Sequence, residues 1–130
     1  MAEAAMLAWI RKLGRREPPP LAGAPAVRRL KTYSAASGYA YQYFYEGHRG
    51  TEYVFQASAD RRTYFSVTVV LSDAALQACP RELTSTERYA VSKIALFHAF
   101  DERAAPDQMR QPVQVQPADL EAIAAQLGLL

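Results

Sequence analysis

The chain has 130 residues, half of them apolar, enough for one domain with a real core and too few for two ordinary ones. No apolar run reaches the roughly 18–20 residues of a membrane span and the start lacks the pattern of a secretory signal, so the expected location is cytoplasmic. The single cysteine, Cys79, excludes an internal disulfide and a thiolate metal centre, and the net charge of +2 hides an uneven spread: seven basic against two acidic side chains through Lys31, eight against eleven beyond it.

Residues 2–13 place Ala5, Met6, Trp9, Ile10 and Leu13 at spacings of three and four, followed by Gly14, which predicts a short helix with one apolar stripe. Such a helix is marginal alone and needs a surface to dock on. Pro18, Pro19, Pro20 and Pro25 make the next stretch an extended linker, so residues 1–25 are expected to form a tethered basic arm and 26–130 a single domain. The arm's Arg11, Lys12, Arg15 and Arg16 suit an anionic partner such as nucleic acid, phospholipid or an acidic protein surface; a solvated leader that binds nothing is the plain alternative.

A strand-like pattern follows, with expected strands at 27–32, 39–46, 51–58 and 63–72, and turns at Gly47-His48-Arg49-Gly50 and Asp60-Arg61. Tyr39, Tyr41, Tyr43 and Tyr45 recur at every second position, which puts them on one face of a strand. With His48-Arg49 as the first turn and Asp60-Arg61 as the second, Tyr43 lies opposite Val54 and Val54 opposite Val67. The tyrosines then share a buried face with Val54, Gln56, Phe65, Val67, Val69 and Leu71. The other face carries Phe44, Tyr53, Phe55 and Tyr64, too aromatic for simple exposure. A one-residue slip exchanges these sets.

Residues 73–79 suggest a short helical turn before Pro80. Thr84 and Glu87 are spaced as a capping box, Leu83 as its staple, and an apolar run from Val91 to Phe100 predicts a long helix from Ser85 to Arg103. Residues 112–116 read as a short edge strand limited by its proline. Pro117 then opens a terminal helix with Leu120, Ile123, Ala124 and Leu127 as its stripe, closed by Gly128. The expected fold class is α+β, a three- to four-stranded antiparallel meander on a long helix, with a C-terminal helix and a tethered N-terminal one.

Signals for chemistry are weak. His48 and Arg49 at a glycine-flanked turn, with Arg61 and Arg62 at the next, are candidate anion ligands, although glycines needed to turn the chain explain the first equally well. His98 reads as an ordinary helix-face histidine, and Cys79 as a small buried thiol with no basic residue or glycine-rich helix start flanking it. Glu46 and Glu52 can face across the first hairpin, but a catalytic acid pair needs a dry pocket and strand ends near a turn are wet. No nucleotide, nucleophile or metal motif is present. The reading is a non-enzymatic protein needing no cofactor or metal. It binds a protein partner or itself through Trp9, Ile10, Phe44, Tyr53, Phe55 and Tyr64. The alternatives are a nucleic-acid module stacking bases on those aromatics, or a small enzyme with scattered catalytic residues. The long helix begins Thr84-Ser85-Thr86-Glu87 rather than with the lysines that grip phosphate in the double-stranded RNA module, whose element order this chain can mimic.

Overall fold

A computed structural model describes residues 20–129. The fold is mixed α+β, and its sheet has five strands rather than three or four. In chain order come β1 (Lys31–Ser34), β2 (Ala40–Arg49), β3 (Glu52–Ser58), β4 (Phe65–Leu71), α1 (Asp73–Ala78), α2 (Ser85–Glu102), a short 3-10 turn at Pro106–Arg110, β5 (Val113–Val115) and α3 (Pro117–Gln126). The sheet order is β1-β2-β3-β4-β5; the first four strands pair antiparallel, and β5 lies parallel to β4 at the edge. The predicted N-terminal helix, with Trp9, Ile10, Arg11, Lys12, Arg15 and Arg16, lies outside the described residues.

Period two drives the buried face. Tyr41 and Tyr43 are 0% and 5% exposed, whereas Tyr39, just before β2, is 39% exposed, so the ladder begins one rung later than its spacing suggests. Helix α2 covers this face. Tyr33 stacks on Phe97 with ring centroids 4.3 Å apart, Tyr41 on Phe100 at 4.1 Å, and Tyr45 meets Tyr89 at 4.7 Å. Each such pair adds about 0.5–1.5 kcal/mol beyond the area it buries. Val67, Val69, Leu71, Val113 and Val115 continue the core toward α3, whose Leu120, Ile123 and Ala124 are buried.

Local chemistry sets the ends of α2. Thr84 Oγ1 accepts from the Glu87 amide at 3.2 Å while Glu87 Oε1 accepts from the Thr84 amide at 2.9 Å, and Arg81 grips both carboxylate oxygens of Glu87 at 2.9 and 2.7 Å. At the other end Asp101 receives the Tyr33 hydroxyl at 2.7 Å and the Ala36 amide at 2.8 Å, while Ser37 Oγ donates to the Phe100 carbonyl. A carboxylate there opposes the helix dipole. It persists because it holds the β1–β2 turn. Arg103 then donates to the carbonyls of Gln108, Gln111 and Pro112 at 2.7–3.0 Å, fixing the path into β5.

The first hairpin departs from expectation. β2 runs through Gly47 and His48 to Arg49 and turns at Gly50-Thr51, with a register shift between Tyr45 and Gly47 that leaves Glu46 as the extra residue. Tyr43 therefore pairs with Ala57 and Tyr45 with Phe55, while Ala57 and Phe55 pair with Phe65 and Val67 across the next hairpin. This corrects the faces of β3. Tyr53 and Phe55, 3% and 0% exposed, sit with the tyrosines in the core, and Val54 and Gln56 belong to the opposite face. Residues assigned to the linker also touch the sheet: Ala22 exchanges both backbone hydrogen bonds with His48, at 2.8 and 2.9 Å.

Candidate functional site

The main core cluster packs on the helix side of the sheet and leaves out Phe44, Val54, Tyr64, Thr68 and Val70, although Val54 is only 6% exposed. Alternation assigns Gln42 and Phe44 of β2, Val54 and Gln56 of β3, and Ser66, Thr68 and Val70 of β4 to the face away from α2. Phe44 and Tyr64, both half-buried, are brought together with ring centroids 6.0 Å apart. Tyr64 donates its hydroxyl to Gln42 Oε1 at 2.9 Å, and Gln56 Nε2 donates to Ser66 Oγ at 2.8 Å. These bonds tie Gln42 to Tyr64 and Gln56 to Ser66 across the face. The Arg28 guanidinium lies 5.0 Å above the Phe44 ring, a contact worth about 0.5–1 kcal/mol at an exposed site.

Of the six aromatic and apolar residues singled out as partner-binding, only Phe44 and Tyr64 stand together on this open face. The register moves Tyr53 and Phe55 to the core, and Trp9 and Ile10 fall outside the described residues. The turn-tip anion site is corrected too: His48 lies within β2, its ring stacked on Tyr53 at 5.1 Å and its Nδ1 3.2 Å from the Gly50 carbonyl. Arg49 pairs with Glu52 across the hairpin in register. Arg61 and Arg62 occupy the β3–β4 turn, where Arg61 has a φ of 65° and Asp60 organises the loop. Asp60 Oδ1 accepts from the amides of Thr63 and Arg62, each at 2.8 Å, and from Ser58 Oγ at 3.0 Å; these bonds hold its carboxyl down at about 2. The basic pair thus stands beside a fixed negative charge.

Sequence reasoning missed Arg28, which lies in the expected strand 27–32 but precedes the observed β1 at Lys31–Ser34, and the segment at 21–24, which packs on Gly47. The signal for the second was a glycine inside an alternating strand, a mark of close backbone approach. A Cβ on Gly47 would lie 2.7 Å from the Ala22 carbonyl oxygen.

Three clefts on the helix side test the catalytic alternative. His98 lines one with Glu102 and Asp119, Cys79 another between α1 and α3, and His48 a third near the start of α2. No thiol–imidazole pair is assembled. Cys79 Sγ instead donates to the Ala75 carbonyl at 3.6 Å. Among the described residues no cluster of three His, Cys, Asp or Glu has the geometry to hold a metal ion, and no helix is long and apolar enough to cross a membrane. No family model matches the sequence, and no curated protein or solved structure matches it.

Proposed function

We propose that this is a non-enzymatic binding protein whose open sheet face docks another protein surface, a second copy of the chain first, with the N-terminal arm adding to the contact. One observation carries the reading: a sheet face bearing Phe44 and Tyr64 that lies outside the core cluster packed under the helices. Its composition fits. A half-apolar centre with amides around it matches an ordinary protein interface more closely than a phosphate-gripping one. Gln42, Gln56 and Gln114 each offer both a donor and an acceptor, so the face is chemically complementary to itself about a two-fold axis. The full chain carries a net charge of only +2, so little net charge opposes pairing.

Sedimentation velocity of the full chain, in low and high salt and with and without a single-stranded oligonucleotide, tests this. The expected result is concentration-dependent dimerisation that changes little with salt and is abolished by the F44S/Y64S double variant, whose fold survives because both residues lie outside the core. A chain that stays monomeric at every concentration would remove self-association. Co-sedimentation with the oligonucleotide that falls steeply with salt would replace it with the nucleic-acid reading.

A further inference from the structure

Helices α1 and α3 pack together and leave a groove of about 530 Å³ beside them. Leu120 and Ala75 of its lining are buried, whereas Ala78, Ala118 and Ala125 are exposed. Alanine side chains project little, so the surface stays a trough, within the range of about 300–1,000 Å³ over which clefts bury a bulky organic group. Among the described residues its lining side chains are apolar apart from Glu121 at the exposed rim.

The rest of the chain supplies an occupant of matching shape. Residues 2–13 read as a short helix with the stripe Ala5, Met6, Trp9, Ile10 and Leu13, and a helix of that length needs a surface to form on. The described chain also begins close to the groove. Ala22 pairs with His48, His48 lines a cleft with Leu83, and Leu83 is three residues from Pro80 at the groove, a step of at most about 11 Å. Leu13 to Pro20 is seven residues, about 22 Å in the polyproline form, which leaves about 11 Å for crossing the cleft. Charge agrees with reach: Glu121 suits a helix that carries Lys12 at the flank of its stripe.

We propose that residues 2–13 seat as a helix in the α1–α3 groove of their own chain, with the Leu13 end toward Pro80 and the Trp9 ring in the trough beside Cys79 and Ala118. Seated on its stripe, the helix turns Arg11 away from the body, so the arm still adds to a contact made by the sheet face.

Trp9 and Cys79 are the chain's single tryptophan and single cysteine, so each reports on one side of this contact. In the full chain Trp9 is expected to fluoresce as a buried indole protected from acrylamide, and Cys79 to react slowly with a maleimide, both independently of protein concentration. W9A is expected to raise the Cys79 rate about tenfold or more, the factor that one buried aromatic is worth. A118F and A125F each fill the groove from an exposed position, and each is expected to shift Trp9 emission to the red and restore quenching. F44S/Y64S is expected to change neither signal, which separates this test from that of the open face. An exposed Trp9 in the full chain, or protection that survives both A118F and A125F, would overturn the seat. Protection lost on dilution would overturn it in favour of the groove of a second copy.

Discussion

Tyr33 and Tyr41 face each other across β1 and β2 and both stack on α2, yet Tyr→Phe is expected to act in opposite directions at the two positions. Tyr41 is 0% exposed, and among the described residues its hydroxyl has no hydrogen-bond partner; burial, with Tyr39 nearby, drives its pKa up. A hydroxyl taken from water without a partner costs about 1–3 kcal/mol. Y41F keeps the ring on Phe100 and deletes that cost, so a gain of about 1–2 kcal/mol is expected, or roughly 4–12 °C in melting temperature for a domain of this size. Tyr33 is different. Its hydroxyl donates to the Asp101 carboxylate at 2.7 Å, which also raises its pKa, and Asp101 keeps only the Ala36 amide if that donor is lost. Because the pair is only part-buried, Y33F is expected to cost about 1 kcal/mol, the lower end for a bond to a charged acceptor. Urea denaturation followed by far-ultraviolet circular dichroism measures both, with equal slopes checking that the denatured states match. A Y41F protein less stable than the parent by 1 kcal/mol or more would show that the hydroxyl is bonded, and the reasoning would fail.

Stability should also follow pH in a defined way. Asp60, held at about 2 by the Thr63 and Arg62 amides, and Glu87, held at about 2 by Arg81 and its own cap, both have depressed values. The unfolded chain therefore takes up protons first, so their contribution is complete above about pH 4 and is lost as pH falls toward 2. Melting temperatures of D60N/E87Q should show a flatter acid limb than the parent, and an unchanged limb would refute the assignment. Burial raises Tyr45 to about 12, so its contribution is complete below about pH 10 and is lost above it; Y45F should flatten that alkaline limb. G47A places a Cβ 2.7 Å from the Ala22 carbonyl oxygen at a φ of 136°, and is expected to cost about 1–3 kcal/mol and to open residues 20–30 to protease. G50A, at a φ of 56° with open space around it, should cost only about 1 kcal/mol and leave cleavage unchanged; equal behaviour of the two would remove the packing argument.

The sequence made the strongly periodic parts legible. The tyrosine ladder, the Thr84–Glu87 capping box and the Pro117 helix start are local patterns whose physics is contained within a few residues. Register was not legible, because it depends on which glycine turns the chain. The two glycines flanking His48-Arg49 invited a turn between them, whereas only Gly50 serves the turn and Gly47 makes room for residues 21–24. The first hairpin is displaced by three residues from the expected pairing and the second by one; both shifts are odd, so Phe65, Val67, Val69 and Leu71 fall on the expected face while β3 alone is inverted. That inversion halves the expected aromatic patch on the open face.

The parallel attachment of β5 shapes how this chain reaches its native state. Three strand junctions are hairpins closed by short loops, so β1 to β4 can pair early at small entropic cost. β5 joins β4 only after the chain from Ser72 to Pro112, with α1 and α2, has folded back, and it brings just three residues to the sheet. The three carbonyl bonds of Arg103 shorten that search by fixing the last stretch before Val113 once α2 has docked. The far edge of the sheet is thus expected to be its last addition, and until it forms β4 presents an unpaired apolar strand to other chains.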